Sequence, residues 1–241
     1  MSAGITANND GSADITVGGI SAIQLSASGD VTIPNLIGGG GGYALFAYTS
    51  PATWDVNAKK TAGLKAVKVT VVGAGGDGGS APATPTVSYG AGGGGGAGGA
   101  TIEYLLAPSI APSPTGVAIT AGPGTNSFGV FCSATAGSGG GSSNSPALAS
   151  GGAGGTGSGG TFNITGGGGG GGPGSGASGT GGNSIFGAGA QGVGTAFPSS
   201  AAGIPGGNYG GGGSGGVKQN ATGGAPGGAG APGIVIVEEF Y

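Results

Sequence analysis

Residues 166–172 are seven glycines in a row, inside the stretch TGGGGGGGPGSG at 165–176. No α-helix or ordinary strand keeps such a run, because each interior glycine costs ~0.5–1 kcal/mol relative to alanine. Similar tracts recur at 90–99, 137–141, 151–160, 206–216 and 223–230, and glycine supplies 70 of the 241 residues, with 14 prolines. Proline plus glycine at that level without a fixed period is the composition of disorder. The rest of the disorder signature is missing. Charged residues are 5%, mean hydropathy is +0.22, and apolar runs such as VKVTVV at 67–72 and IVIV at 234–237 are compact. An ordered chain is expected.

Three structures use dense glycine. Collagen needs glycine at every third residue, a frame that a continuous run followed by PGSGASGTGG does not keep. Flexible linkers account for one tract, but not for several interleaved with apolar strands. What is left is the extended left-handed helix of the polyproline II type, packed side by side. It rises ~3.1 Å per residue with about three residues per turn and makes no internal hydrogen bonds. Every N–H and C=O therefore points at a neighbour, which can come close only where no Cβ intervenes. Burying those groups unpaired would be prohibitive, so the tracts are expected as a bundle.

The segments joining the tracts then fall at the two ends of the bundle: 80–89, 142–150, 195–209 and 217–222, rich in proline, aromatic and amide residues. Exposed connections are where function concentrates. Tyr89, Phe186, Phe197 and Tyr209 are the candidate contact residues, since large rings are costly to expose without a use; the competing role is to cap the ends of the bundle.

The remaining sequence reads as strands. Residues 64–76 alternate Val67, Val69 and Val71 inward against Lys68 and Thr70 outward. Further strands are expected at 100–107, 116–120 and 128–132, and at 232–241, the last buried on both faces. The first 38 residues repeat in octets, ITVGGISA (15–22), IQLSASGD (23–30) and VTIPNLIG (31–38). Each octet has apolar residues at i and i+2 followed by turn formers. A segment this short does not build a core alone without disulfides, metal or oligomerisation. A three-fold bundle with Ile15, Val17, Ile23, Leu25, Val31 and Ile33 inward is expected. Asn9-Asp10-Gly11 reads as a hairpin turn, because the Glu that closes an EF-hand loop is absent. The fold class expected is all-β and irregular, with a trimerising β-repeat at 1–42 and a glycine-rich outer domain of strands and packed helices at 43–241.

Composition narrows the chemistry. There are five lysines, eight carboxylates and neither histidine nor arginine. A net charge of −3 gives no footprint for nucleic acid. The commonest general base and metal ligand is lacking, as are bidentate anion clamps. Cys132 stands alone, which excludes an intrachain disulfide framework, and it reads as a small core residue. The acids are scattered except for Glu238-Glu239, whose side chains would face opposite sides of a strand. No catalytic residue, metal site or cofactor is expected. The first 17 residues lack the pattern of a signal peptide, and no stretch approaches the ~20 apolar residues of a membrane span.

The linked signals Trp54, LKAVKVTVVGAGGDGG (64–79), SYGAGGGGGAGGATIEYLLA (88–107) and GAPGGAGAPGIVIVEEFY (224–241) resemble the glycine-rich domain of bacteriophage tail-fibre and adhesin proteins. ITVGGISAIQLSASGDVTIPNLIG (15–38) is similar to trimeric segments of phage fibres. The resemblance implies a non-enzymatic virion protein of the phage tail, homotrimeric, made in the host cytoplasm. It implies an N-terminal part that attaches to the baseplate or another tail protein, and a polyglycine II sandwich whose loops bind a bacterial surface glycan or outer-membrane protein. On that reading Tyr89, Phe186, Phe197 and Tyr209 are receptor-binding. The chain departs from the distal adhesins in its short fibre-like N-terminus and in lacking their dense aromatic loop tips. A structural or ice-binding glycine-rich protein is the alternative; it would be expected to show cleaner triplets, a flat Thr/Ala face and disulfides. A depolymerase on a trimeric fibre would need paired carboxylates.

Overall fold

The computed structural model describes residues 3–7, 13–17, 20–25, 31–33, 42–83, 89–110, 116–144, 147–219, 221 and 223–241, and of those before 42 only the backbone of four strands. The turn expected at Asn9-Asp10-Gly11 lies outside the described residues. The chain is nearly all β. In order come β1 (Ala3–Ala7), β2 (Ala13–Val17), β3 (Ile20–Leu25), β4 (Val31–Ile33), β5 (Tyr43–Tyr48) and β6 (Ala52–Trp54). A short helix α1 (Val56–Thr61) leads to β7 (Ala66–Val72), β8 (Tyr89–Gly92), β9 (Ala100–Leu106), β10 (Val117–Thr120), β11 (Asn126–Phe128) and β12 (Cys132–Ala134). The second half carries β13 (Ser142–Ser143), β14 (Gly157–Ser158), β15 (Phe162–Ile164), β16 (Ser199–Ala201), β17 (Val217–Gln219) and β18 (Ile234–Phe240).

Two antiparallel sheets form a sandwich. The larger runs β1-β2-β3-β4-β5-β18-β7-β9-β15 and the smaller β14-β12-β11-β10-β6. The alternation at 67–71 does what its period dictates: Val67, Val69 and Val71 are buried, and Val235 and Val237 of β18 lie beside them. They pack against Trp54, Val117, Ile119, Phe128, Cys132 and Ala134 of the small sheet. Trp54 and Phe128 meet at 5.5 Å between ring centroids. Thr70, on the opposite face of β7, is buried as well, so that strand is covered on both sides at its C-terminal end.

Three local expectations are corrected. Residues 128–132 are not a strand but the tip of the β11–β12 hairpin. Gly129 adopts φ +52° there, a left-handed conformation that suits glycine, and Val130 between the strands is 98% exposed. The C-terminal strand is not buried on both faces, since Ile236 and Glu238 are half-buried and Phe240 is exposed. Residues 56–61 are helical although the fold was read as strand and irregular chain. Asp55 caps α1 by accepting hydrogen bonds from the N–H groups of Asn57 and Ala58, and Lys59 and Lys60 occupy its last turn.

The N-terminal strands pair in register with the rest of the large sheet. Ile15 stands opposite Ile23 and Leu25 opposite Val31; Val31 in turn faces Leu45, and Ile33 faces Tyr43. Val17 stands opposite Ile20, beyond a register shift between Ile15 and Thr16. One sheet therefore crosses the boundary expected at 42.

Between the sandwich and a third sheet lie the glycine tracts, ordered by backbone hydrogen bonds that repeat every third residue. In the tract 92–99, the N–H groups of Gly92, Gly95 and Gly98 donate to the carbonyls of Gly216, Gly213 and Gly210. Those of Gly93, Gly96 and Gly99 go to Gly141, Ser138 and Thr135, and those of Gly94 and Ala97 to Gly170 and Gly167. The same tract accepts from Gly79, Gly76 and Gly73, from Gly152 and Gly155, and from Gly179 and Gly182. It is thus surrounded by segments 73–79, 135–141, 152–155, 167–170, 179–182 and 210–216, donating to three and accepting from three. A Cβ at Gly94, Gly95 or Gly96 would fall on the carbonyl oxygen of Thr180, Gly76 or Ala153, far inside the 3.0 Å that real Cβ atoms respect. Each such hydrogen bond is worth about 0.5–1.5 kcal/mol net, the size of the extra cost of ordering a glycine rather than an alanine.

Candidate functional site

The tracts give the molecule two ends. At one, residues 73, 99, 135 and 233 lead straight into or out of β7, β9, β12 and β18. At the other, a small sheet ordered β13-β8-β17-β16 closes the bundle. Its last cross-strand row is Tyr89, Gln219 and Ser199, set by the antiparallel pairing of β8 with β17 and of β17 with β16. Below that row Ala91 and Val217 are buried. Lys218 is also buried, 1% exposed, with its ammonium donating to the Pro82 carbonyl at 3.3 Å.

The structure divides the four candidate contact residues between the two ends. Tyr89, 37% exposed, and Phe197, 61% exposed, are at the far tip. Phe197 lies two residues before β16, and the Thr195 and Ser199 hydroxyls on either side of it in the chain are hydrogen-bonded to each other. Phe186 and Tyr209 are at the sandwich end. There the Ser184 hydroxyl donates to the Tyr209 carbonyl at 2.6 Å, holding the turn that carries Phe186. Tyr209 is half-buried against Val72, Ala100 and Ile234, and Phe186 is exposed. The sequence could not separate the pairs, because the two ends alternate along the chain and only the strand register tells which connection is at which.

Charge is distributed as unevenly. From 104 to 237 the only charged residue is Lys218. Nearly all described charges are on the sandwich, where two neighbouring carboxylates part company as their strand position requires. Glu239 is fully buried and accepts hydrogen bonds from Trp54 Nε1 at 2.6 Å and from the Tyr241 hydroxyl, with Lys59 Nζ at 3.1 Å. Glu238 faces the other way, 2.6 Å from Lys68 Nζ and 3.0 Å from the Tyr43 hydroxyl. Burial, then the neighbouring Glu238, pushes Tyr43 up to about 12. The Glu238 hydrogen bond raises Lys68. Asp77 is the carboxylate nearest the glycine lattice; it lines a groove of about 520 Å³ beside residues 136–139 and 230–232, and its Oδ1 accepts the Gly230 N–H. Among the described residues no group of three or more His, Cys, Asp or Glu side chains is placed to hold a metal ion.

A second surface was missed by residue-by-residue reading. On the face of the large sheet turned away from the core, Leu45 (39%), Tyr104 (55%), Leu106 (67%), Phe162 (56%) and Phe240 (38%) are exposed. Register makes them neighbours: Leu45, Glu238, Lys68 and Tyr104 form one row, and Phe240, Ala66 and Leu106 the next. The strand alternation that placed the valines inside was the available signal, applied to the other parity.

Cys132 is buried, as its apolar surroundings implied. Burial, followed by the Glu103 charge, pushes its thiol up to about 12 from 9.0. The fold favours the neutral thiol, so this contribution to stability is complete below pH 9 and is lost as pH rises towards 12. A thiol reagent at pH 8 is expected to modify Cys132 only at the rate of unfolding, and the melting temperature to fall as pH is raised from 9 to 12. Rapid modification of the folded protein would contradict that placement.

These features define an all-β protein whose two sheet regions are joined by a glycine lattice. No helix of the described residues is long and apolar enough to cross a membrane. No protein-family model matches the chain, and no curated protein matches it.

Proposed function

We propose that the chain is a structural, non-enzymatic protein of a phage tail, a tail fibre or fibre tip, homotrimeric and mediating adhesion to the bacterial surface. On this reading the glycine tracts are packed polyglycine II helices. The observation that carries it is the three-residue period of hydrogen bonds around tract 92–99, with neighbours on all sides. That period is the repeat of an extended three-fold helix, and a lattice so braced is a stiff mount for exposed connections. It supports the resemblance to glycine-rich adhesin domains by the feature those domains depend on.

Trimerisation through the N-terminal strands is supported by the apolar repeat. Its cross-strand row Leu25–Val31 continues through Leu45, Glu238 and Lys68 to Tyr104. The far tip, with Tyr89 and Phe197, is then the receptor-facing end, and the N-terminal strands attach to the baseplate or another tail protein.

Replacing Val17, Leu25 and Ile33 together with Ser is expected to convert the trimer to monomer in light scattering, with far-ultraviolet spectra of the outer domain retained. An intact trimer would contradict the assignment. Electron microscopy of phage particles carrying a labelled copy tests the location: label away from the tail would defeat the proposal.

A further inference from the structure

We infer that the far tip recognises an uncharged polysaccharide, through the rim formed by Tyr89, Phe197, Gln219, Thr195 and Ser199; the inference rests on the adhesin reading and narrows its ligand.

Charge comes first. The described segments that build the tip, 80–83, 89–92, 142–144, 195–201 and 217–219, contain one charged residue, Lys218. That residue is 1% exposed, beneath the outermost strand row, with its ammonium on the Pro82 carbonyl. The rim therefore presents no side-chain charge. Anionic ligands such as phosphorylated or uronic-acid polymers are held by Arg and Lys forks and steered by positive potential. Cationic ligands are held most strongly by charge-assisted hydrogen bonds to carboxylates. Neither kind of group is on this rim, and the carboxylates and lysines of the sandwich are at the opposite end of the lattice.

What the rim does present suits a sugar. Phe197 offers a largely exposed ring and Tyr89 a partly exposed one. Aromatic faces attract the slightly positive C–H groups of a pyranose, and buried ring area is the main source of affinity at such sites. Gln219 stands between Tyr89 and Ser199 in one cross-strand row. The hydroxyls of Thr195 and Ser199, on either side of Phe197 in the chain, are hydrogen-bonded to each other. An amide and two hydroxyls supply both donors and acceptors, which match sugar hydroxyls that are themselves both. Three of the rim residues are fixed by strand pairing, so the contacts are held on a rigid edge.

The test uses the full-length fluorescent protein on a panel of bacterial strains. Labelled strains are then treated with periodate, which cleaves vicinal diols, or with proteinase K, and rebinding is measured at 20 and 300 mM NaCl and with heparin as a polyanion competitor. The expected result is that periodate abolishes labelling and protease does not. Salt and heparin should change it less than about twofold, as expected where no ion pairs form. Phe197→Ala should lower labelling at least tenfold, with Phe197→Tyr restoring it and both variants melting like the parent. Labelling removed by protease, or competed by heparin or salt, overturns the uncharged-polysaccharide assignment while leaving the adhesin reading in place. Labelling unchanged in Phe197→Ala overturns the rim. Failure to label any strain overturns the adhesin reading itself.

Discussion

Gly94→Ala is expected to destabilise the protein by about 3 kcal/mol or more, the upper range for an overpacked interior site. Gly168→Ala should be neutral or stabilising by up to about 1 kcal/mol. Both residues are in glycine tracts, and nothing local distinguishes them. The difference is in what surrounds each. Gly94 donates to Gly170 at 2.9 Å and accepts from Gly152 at 2.8 Å, and a Cβ would land on the Thr180 carbonyl oxygen. Backbone cannot swing aside as a side chain can, so neighbouring tracts must part and their hydrogen bonds lengthen together. At Gly168 the nearest atom to a Cβ is the Gly152 oxygen at 3.6 Å, ordinary contact, and alanine reduces the freedom of the unfolded chain. Denaturant unfolding of the two variants measures the contrast. Should Gly94→Ala not accumulate, hydrogen exchange of the parent gives the second measure: the amides of Gly93 to Gly99 should be among the slowest in the molecule. Equal tolerance at both positions, or rapid exchange through the tract, would remove the rigid mount on which the proposed function depends.

Glu239→Ala should cost about 3–5 kcal/mol, the usual penalty for breaking a buried charge pair. Glu238→Ala, one residue away, should cost less than about 1 kcal/mol, as exposed ion pairs do. Glu239 is sealed in the core, and its removal strands three donors at once: the Trp54 indole N–H, the Tyr241 hydroxyl and the Lys59 ammonium. Those donors tie β6, the C-terminus and α1 to β18. Glu239→Gln should recover part of the loss, because an amide oxygen still accepts from Trp54 while the Lys59 attraction is gone. Glu238 and Lys68 lie on the outer face with side chains still partly wet, 18% and 29% exposed, so water replaces most of what the substitution removes. Thermal unfolding of the three variants decides the matter. A Glu238 variant as unstable as the Glu239 one would mean that the outer face is covered in the native assembly, as the exposed Leu45, Tyr104 and Leu106 around it would then require.

How much of this was legible follows from the range of each interaction. The valine alternation of β7 and the opposed Glu238 and Glu239 depend on strand parity, which the sequence carries residue by residue, and the burial of Cys132 on its apolar neighbours. The need for the glycine tracts to satisfy one another is also carried by the sequence, since no helix or linker accounts for their number and setting. The short helix α1 was missed because its evidence is an Asp55 cap and two lysines, easily lost beside strong strand patterns. The segment at 128–132 was misread because its apolar residues belong to two strands separated by a left-handed glycine.

The assignments that needed the tertiary structure are those in which distant segments meet. Ala97 is tolerated between Gly96 and Gly98, each of which is blocked by a carbonyl from another tract, Ala153 and Gly73 respectively. Which of three neighbouring residues has room for a methyl group is a property of the lattice and is written nowhere in the tract. Likewise Tyr89 and Phe197 share one end, and Phe186 and Tyr209 the other, only because strand register and hydrogen-bond register across more than a hundred residues place them there. Residue chemistry alone requires glycine to face glycine and valine to be inside; the pairing of chain segments decided which glycines, and which of the exposed rings share the charge-free rim.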